Sequence, residues 1–405
     1  MNTFETSPST SIERYRACIA SFHNKSGDAF FFNDSQPKDL KEMTTHLLSF
    51  LQHQKDLAKK SGCLPPRYVH RCHEPPCGGL GDRIKGAILS FYMSLFWGFS
   101  LEFRWDYPSQ ISDFFVTANS DILSLDTPAD LNAESDFKIF SYIDQFDASF
   151  YEQTDFGTAW NFTTVESRTN ADMWHIVKKN RHIHFSQFPY IQRLDKLEMA
   201  NIAMQLLLQP NSYLIREMQN YTNEIAGFDE MFKIGIQLRT GDASMIKNYD
   251  GQAPVRHSAD CGFLFAQEAL KLCLRKPARQ CLFFITSDSE DATVTIKETI
   301  SKSLSNDTFF ILETQGQAAH IDKVSLDANV KETREYYLKT YLDWAFLTKM
   351  DALVISRSGF GETAAWASMA RALVFVQDKA NLTNSVFVDY LERVRTEVIP
   401  VLDGQ

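Results

Sequence analysis

The chain has 405 residues, of which 44% are apolar and 13% aromatic, with 17 Gly and 13 Pro. This composition excludes a disordered, collagenous or low-complexity chain, and at about 150 residues per domain it predicts two or three globular domains. The formal charge of -10 includes no basic run, which argues against a broad nucleic-acid surface. A small anion held by one or two arginines is compatible with this charge.

No single signal fixes the compartment of the protein. The uncharged stretch at residues 86–101 is shorter than the roughly 20 apolar residues that cross a bilayer, so no membrane span is expected there. Residues 1–14 lack the apolar core of a signal peptide. Six Asn-x-Ser/Thr sequons favour a secretory lumen; they are at Asn24, Asn33, Asn161, Asn220, Asn306 and Asn381. We therefore expect a Golgi or ER lumen if an N-terminal anchor is missing, and otherwise the cytoplasm.

Cysteine and metal-ligand patterns are weak. Seven cysteines leave at least one thiol unpaired, and Cys63, Cys72 and Cys77 either hold a disulfide or stay reduced. Neither a four-ligand zinc spacing nor an Asp-x-Asp triplet occurs, so no metal site is expected. Hydrolase motifs of the Gly-x-Ser-x-Gly and His-Glu-x-x-His types are also absent from the sequence.

The N-terminal half has an irregular pattern of strands and helices behind a polar extension. Its predicted elements, in chain order, are a strand at Tyr68–Arg71, a helix ending near Trp97, strands at Leu101–Arg104, Asp136–Tyr142 and His182–Phe185, and helices at Leu194–Leu208 and Tyr213–Ile225.

From Phe232 onward, short β-rich apolar runs alternate with runs of helical period, which is typical of βαβ units with a parallel sheet. The predicted strands are Lys233–Arg239, Gln280–Thr286, Thr308–Leu312, Ala352–Ser356 and Ala372–Gln377. The predicted helices are Cys261–Leu274, Ala292–Ser303, Lys331–Met350 and Glu362–Met369. We expect an N-terminal domain over 1–226, a second over 227–383, and a helix within 384–405, over Asn384–Val398, that packs back on the first domain.

A glycine-rich segment, Gly78–Gly81, joins the first predicted strand to the long helix and is followed by Asp82 and Arg83. Glycines at such a turn let the backbone approach a ligand, and the helix N-terminus offers unpaired amide donors. A plain tight turn, with Asp82 as the helix cap, is an equally good interpretation.

Three more polar segments follow strands of the second half, where ligands of open parallel sheets bind. In Gln237–Asp242, Arg239 is placed to grip phosphate oxygens, although an ion pair with Asp242 would also explain it. Thr286–Asp288 suits a ribose or a base edge, or else caps a helix. Arg357–Thr363 has the small hydroxyl residues and glycines of a diphosphate cradle at a helix start.

These segments, in this order, resemble the fucosyltransferase superfamily, which includes protein O-fucosyltransferases and the plant xyloglucan, bacterial nodulation and α1,6-fucosyltransferases. Gly78–Arg83 is similar to its Gly-Gly-x-Gly-(Asp/Asn)-Arg loop, and Gln237–Asp242 to its His-x-Arg-x-(Thr/Gly)-Asp motif. Leu342–Ser358, with Asp343 eight positions before Asp351, resembles the segment of the α1,6 enzymes whose first aspartate binds guanine.

Two positions depart from the family pattern. Gln237 stands where many members have His, which alters one nucleotide contact, although an amide can still donate a hydrogen bond. Thr240 stands where the α1,6 group has a second arginine, so the acceptor linkage of that group is not carried over.

The resemblance implies an α/β fold of the GT-B type, with two Rossmann-like domains facing across a cleft. It implies an inverting, metal-independent glycosyltransferase that needs no cofactor and moves fucose from GDP-fucose to a hydroxyl of a glycan or glycoprotein. Two alternatives stay open: use of another GDP-sugar such as GDP-mannose, and a non-catalytic glycan- or nucleotide-binding protein of the same fold.

Roles for individual residues follow from the motifs and the resemblance together. Arg239 would stabilise the leaving diphosphate, and Asp82, Asp242 and Asp250 are alternatives for the base that takes the acceptor proton. His257 is expected to be structural rather than acceptor-facing. The residues expected to bind substrate are Gly79, Gly81, Arg83, Gln237, Thr286, Asp288, Asp343, Ser356, Ser358, Gly359 and Phe360.

Overall fold

The computed structural model divides the chain into two compact units. Unit 1 comprises Met1–Cys77 and Asp82–Gln209, and unit 2 comprises Gly78–Gly81 and Pro210–Gln405. The residues that the structure describes are 13–18, 21, 39–72, 77–107, 109–123, 125, 137–183, 188–241, 258–275, 280–305, 308–316, 321, 330–368, 372–378 and 396–401.

Unit 1 is built on a four-stranded parallel sheet of order β2-β1-β5-β4. Its elements in chain order are α1 (Leu40–Ser61), β1 (Arg67–Arg71), α2 (Leu80–Trp97), β2 (Ser100–Arg104), β3 (Phe115–Val116), β4 (Phe137–Tyr142), α3 (Ala148–Gln153), α4 (Phe156–Ala159), β5 (Thr164–Thr169), α5 (Trp174–Val177), α6 (Lys196–Leu207) and β6 (Gln209–Pro210), with 3₁₀ turns at Ile111–Asp113 and Pro189–Arg193.

Unit 2 is built on a six-stranded parallel sheet of order β12-β11-β10-β7-β8-β9. Its elements in chain order are α7 (Ser212–Thr222), β7 (Phe232–Leu238), a 3₁₀ turn at Ala259–Cys261, α8 (Gly262–Leu274), β8 (Cys281–Ser287), α9 (Glu290–Ser303), β9 (Phe309–Leu312), α10 (Val330–Leu347), β10 (Ala352–Ser356), α11 (Gly359–Ser368), β11 (Ala372–Asp378) and β12 (Thr396–Val401).

The strands at the centre of the second sheet are almost uniformly apolar because both faces of the sheet are covered. Ile234, Ile236, Phe283 and Val354 are all fully buried, as expected for a parallel sheet with helices on both sides. The five strands and four helices predicted for this half are confirmed, with ends that agree within a few residues.

The boundary between the units lies earlier than the sequence predicts. A boundary before residue 227 would leave α7 in unit 1, whereas the structure places this helix in unit 2. Tyr221 of α7 packs edge-on against Phe346 of α10, with ring centroids 6.1 Å apart. Its hydroxyl also accepts a hydrogen bond of 3.0 Å from the backbone N–H of Gln315. These contacts join α7 to α10 and to the segment after β9, both in unit 2.

The end of the chain adds a strand instead of continuing the predicted helix. Thr396–Val401 pairs in parallel with β11 at the edge of the sheet, so the helix predicted to reach Val398 is wrong over its last residues. Val398, Ile399 and Val401 favour an extended strand, and Pro400 is tolerated because an edge strand can lack an N–H donor. Residues 384–395 lie outside the described part of the chain.

Three further differences lie in unit 1. The polar extension contains α1. Its N-cap is Asp39, whose side chain accepts a hydrogen bond of 2.8 Å from the N–H of Glu42, and its C-cap is Gly62, which has a left-handed φ of 72°. The strand β5 was not predicted, because Thr164–Thr169 has one apolar residue. The strand predicted from His182 is wrong at His182 and Ile183, which form a turn and coil, and residues 184–187 lie outside the described part.

Six of the seven cysteines form disulfides: Cys18–Cys63, Cys72–Cys77 and Cys273–Cys281. The open question for Cys63, Cys72 and Cys77 is therefore answered in favour of disulfide bonding. The first bond ties residues 13–18 to the end of α1, and the third joins α8 to β8.

Gly235, in the middle of β7, tests how tightly unit 2 is packed. A Cβ at this position would lie 2.7 Å from Leu353 Cδ2, 2.8 Å from Leu347 Cδ2 and 2.9 Å from Met350 Cγ. We expect Gly235→Ala to lower the free energy of unfolding by about 1–3 kcal/mol because the core has no room for a methyl group.

Urea unfolding with Gly157→Ala as the control checks this. At Gly157, in α4, the nearest atom to a new Cβ is Asp155 Oδ1 at 3.2 Å, and alanine favours a helix. Equal stability of the two variants would contradict the packing described for β7.

Candidate functional site

The carboxyl ends of β7, β8 and β10 bring three of the polar segments together in unit 2. The parallel register aligns Gln237 of β7 with Thr286 of β8 on one side and with Ile355 of β10 on the other. The loops that follow these strands therefore leave the sheet at the same edge, which is where parallel α/β sheets bind ligands.

The carboxylate of Asp288 organises the loop after β7. Its Oδ1 accepts hydrogen bonds from the N–H of Thr240 at 2.7 Å and from the Thr240 hydroxyl at 2.9 Å. Its Oδ2 accepts from the N–H of Gly241 at 2.9 Å and lies 3.2 Å from Arg239 Nε. Asp242 lies outside the described residues, so the ion-pair partner that the structure assigns to Arg239 is Asp288, from the next strand.

Gln237 connects the end of β7 to the loop after β10. Its Oε1 accepts hydrogen bonds of 3.2 Å from both the Ser356 and Ser358 hydroxyls. The Ser356 hydroxyl in turn accepts a hydrogen bond of 2.9 Å from the backbone N–H of Arg239. All three polar side chains are buried, so the carbonyl oxygen of Gln237 serves the loops of the protein itself.

Helix α11 begins in this loop, with Gly359 and Phe360 in its first turn. The Ser358 hydroxyl accepts a hydrogen bond of 3.3 Å from the N–H of Gly361, as an N-cap residue does. A Cβ on Gly361 would lie 2.6 Å from Gln237 Oε1, so a side chain there would displace the amide that accepts from Ser356 and Ser358. The partial positive charge of the helix start is thus directed to the edge of the sheet that carries Arg239.

The segment Gly78–Gly81 belongs to unit 2 and packs against the same helix start. A side chain on Gly81 would collide with the backbone of Gly359. Gly78 has a φ of 75°, which favours glycine. Gly81 therefore lies beside α11, where the absence of a side chain permits the close approach of two backbones.

Asp343 lies in a buried polar cluster beneath β8. Its side chain is 2% exposed and accepts hydrogen bonds from the hydroxyls of Thr286, at 2.7 Å, and Thr314. Lys339 Nζ lies 3.1 Å from Oδ2 and 3.4 Å from Oδ1. Burial raises the pKa of Asp343, and Lys339 and the two threonine hydroxyls oppose this rise.

The sequence analysis did not identify Lys339 and Thr314 as members of this cluster. Lys339 precedes Asp343 by one helical turn on α10, and such an i,i+4 spacing is a signal that could have identified it. Thr314 follows β9 and reaches Asp343 only through the fold, so no local pattern marks it.

Asp82 and Arg83 lie in unit 1, at the start of α2. The guanidinium of Arg83 is buried and donates a hydrogen bond to the carbonyl oxygen of Tyr107, between the rings of Trp105 and Tyr107. Burial, assisted by the charge of Arg83, lowers the pKa of His70 to about 3. Asp82 lies in the first turn of α2, where a carboxylate favours the helix dipole, instead of at the cap position.

Glu166 of β5 is a buried carboxylate that sequence analysis missed. Its oxygens lie 2.5 Å from Arg71 Nη1 and 3.8 Å from Arg104 Nη1, at the carboxyl ends of β1 and β2. These arginines compensate the charge of Glu166, whose burial in an inner strand would otherwise be strongly unfavourable.

The remaining predicted residues lie outside the described part of the chain. Asp242, Asp250 and His257 belong to residues 242–257, so the assignment of a base stays a prediction. Within the described ranges, no three His, Cys, Asp or Glu side chains are grouped as metal ligands. No helix in those ranges combines the length and the apolar character of a membrane span.

Comparison with known proteins identifies the architecture. No family model and no curated protein matches the sequence. A solved structure of a mutant of Arabidopsis thaliana FUT1 in complex with GDP is similar in fold, with 14% sequence identity, a TM-score of 0.50 and coverage of 90% of this chain and 79% of that chain. The chain has a GT-B type fold. The α/β fold class expected from the sequence is confirmed.

Two other solved structures match more weakly. Fucosyltransferase NodZ from Bradyrhizobium is 12% identical, with a TM-score of 0.42 and coverage of 74% of this chain and 92% of that chain. POFUT1 in complex with GDP-fucose is 11% identical, with a TM-score of 0.39 and coverage of 75% and 94%.

The buried carboxyl of Asp343 predicts a pH-dependent stability. Burial holds its pKa in the folded state above the ordinary value of 3.8, so the folded state binds the proton more tightly than the unfolded state. The stability gained from this proton is present below the unfolded-state pKa and is lost as pH rises through the folded-state pKa. Wild type should therefore lose stability relative to Asp343→Asn as the pH is raised from about 4.

Urea unfolding of both proteins over a pH series measures this difference. Lys339→Met should steepen the dependence, because removal of the cation raises the pKa of Asp343 further. A difference between wild type and Asp343→Asn that stays constant with pH would contradict the cluster described here.

Proposed function

We propose that the chain is a glycosyltransferase that moves fucose from GDP-fucose to a hydroxyl of a glycan or protein. The observation that carries this proposal is the convergence of Arg239, Ser356 and the start of α11 at one edge of the second sheet. These residues belong to segments whose order resembles the fucosyltransferase motifs. The similarity in fold to FUT1, which was solved with GDP, supports the same proposal.

Arg239 is the residue that we assign to the diphosphate. The contact with Asp288 uses its Nε, and the terminal nitrogens of an arginine form the fork that matches phosphate oxygens. Its side chain is 21% exposed, whereas that of Asp288 is 2% exposed. The arginine is thus anchored on its buried side and accessible from solvent.

This arrangement suits transfer by direct displacement without a metal. As the bond between fucose and GDP lengthens, positive charge develops on the sugar and negative charge on the diphosphate. Arg239 and the amides of the first turn of α11 stabilise that negative charge more strongly in the transition state than in the ground state. Attack by the acceptor oxygen on the opposite face inverts the anomeric carbon, and Asp242 or Asp82 would take the proton.

Asp343 is the residue that we assign to guanine. An ionised carboxylate can accept two hydrogen bonds from the N–H groups of the guanine edge, a contact that adenine cannot offer. Because its oxygens already accept hydrogen bonds from Thr286, Thr314 and Lys339, the base would replace at least one of these donors.

A non-catalytic nucleotide-binding protein is the second possibility, and Gln237 is the observation in its favour. Many members of the family have His at this position, and here the side-chain oxygen accepts hydrogen bonds from Ser356 and Ser358. Use of another GDP-sugar is a third possibility, since no residue of the site is assigned to the methyl group of fucose.

Donor turnover with Arg239→Ala tests the proposed mechanism. We expect wild type to release nucleotide from GDP-fucose, and Arg239→Ala to lose about a hundredfold in rate, because one charged contact to the leaving group contributes on the order of 3 kcal/mol in the transition state. Arg216→Ala is the matched control, since Arg216 lies on α7 with a side chain that is 66% exposed.

Parallel assays with GDP-mannose and UDP-sugars separate the alternatives. Faster release from GDP-mannose would identify a different donor. Binding of GDP without release from any donor would support the non-catalytic protein. Full activity of Arg239→Ala would refute the role given to Arg239.

Nucleotide selectivity tests the role of Asp343 separately. Asp343→Asn should weaken GDP binding by about tenfold or more while leaving the weaker binding of ADP nearly unchanged, because hydrogen bonds to a charged group contribute roughly 1.5–3 kcal/mol. Calorimetric titration with both nucleotides measures this. If GDP and ADP lose affinity equally, Asp343 does not contact the base.

A further inference from the structure

Asp288 is a buried carboxylate whose hydrogen bonds are made with the loop that carries Arg239. Thr240 and Gly241 donate three hydrogen bonds to it, and Arg239 Nε forms an ion pair with its Oδ2 at 3.2 Å. A carboxylate has about four acceptor positions, and these contacts from one loop engage both of its oxygens. The sequence suggests a contact between Asp288 and the nucleotide, but such a contact would have to displace one of the donors that hold the loop of Arg239 in place.

The position of Arg239 is fixed from two directions. Asp288, which follows β8, holds the side chain through Nε, and Ser356, at the end of β10, accepts a hydrogen bond from its backbone N–H. The arginine is thus fixed to both neighbouring strands of the sheet before any ligand binds. Ordering of a long side chain in advance means that less conformational freedom is lost on binding.

We propose that Asp288 is a positioning residue, which holds the Nε side of Arg239 so that the terminal nitrogens face a nucleoside diphosphate. It acts through the arginine and does not contact the nucleotide. This inference rests on the proposed function. Loss of Asp288 should weaken the binding of the diphosphate group and leave the binding of the nucleoside part unchanged.

A purely structural role for Asp288 in the turn at Thr240 and Gly241 predicts a different result. Damage to that turn would disturb the whole strand end and would weaken the binding of all nucleotides equally. A positioning role predicts a loss of affinity only when the ligand has its outer phosphate and the protein has Arg239. Two comparisons therefore distinguish the positioning role from the structural role: GDP with GMP, and single with double variants.

The experiment is a double-mutant cycle on the full chain, with calorimetric titration of GDP and GMP. Asp288→Asn keeps the shape of the side chain but removes the charge and places an amide group beside the loop donors. We expect this variant to lower the affinity for GDP by about tenfold or more and to change the affinity for GMP little. Arg239→Lys should weaken GDP as well, and the double variant should be no weaker than Arg239→Lys alone.

Two further variants serve as controls. Thr240→Val removes one of the three hydrogen bonds to Asp288 and keeps the ion pair with Arg239, so it should weaken the binding of GDP less than Asp288→Asn does. If Asp288→Asn does not fold, Asp288→Glu retains the charge but displaces it by one methylene group, and it should again weaken GDP more than GMP.

The outcomes separate this inference from the proposed function. Unchanged GDP affinity in Asp288→Asn, equal losses for GDP and GMP, or additive losses in the double variant would each overturn the positioning role while leaving the proposed function intact. If wild type bound no GDP, the proposed function would be refuted together with the role that depends on it. The same cycle measured by urea unfolding would then show whether Asp288 and Arg239 are coupled in the unliganded protein.

Discussion

The parallel pairing of β7 with β8 on one side and β10 on the other is the constraint on which the candidate site depends. These strands are buried, and an unpaired backbone N–H or C=O in such surroundings is costly, so the hydrogen-bond register is firmly set. Gln237, Thr286 and Ile355 are aligned by it. Every polar group of the site follows from one of these three strand ends or is packed beneath them.

Internal hydrogen bonds hold this edge of the sheet in place without a ligand. Asp288 is satisfied by the loop after β7, and Asp343 is satisfied by Thr286, Thr314 and Lys339. Burial of a carboxylate is tolerated only when donors of this kind surround it. The physical consequence is that the position of Arg239, the cation that we propose faces a diphosphate, is fixed by the fold.

The second half of the fold could be predicted from sequence because its strands are apolar runs with helical segments between them. Ala352–Ser356 was predicted to the residue. The strand Thr164–Thr169 could not be predicted, since it has one apolar residue and the partners of its buried Glu166 are arginines on other strands. The prediction of a helix near the end of the chain was wrong at Thr396–Val398. The formation of an edge strand such as β12 depends on pairing with its neighbour β11 as much as on its own sequence.

The site was predicted as a set of segments, but its internal contacts were not. Strand-end position alone indicated Arg239 and Ser356. The partnership of Arg239 with Asp288 is a contact between residues from different strands, for which the sequence offered Asp242 as a nearer choice. The same limitation applies to Asp343. The resemblance of its segment to the fucosyltransferases suggested a contact with the ligand, but the sequence did not indicate the buried hydrogen bonds that Asp343 makes within the protein.

A crystal structure of the protein soaked with GDP tests the central claim most directly. Our account predicts that the diphosphate lies within hydrogen-bond distance of the terminal nitrogens of Arg239 and of the first amides of α11, with guanine against Asp343. GDP bound elsewhere, or bound at this edge without any contact to Arg239, would contradict it.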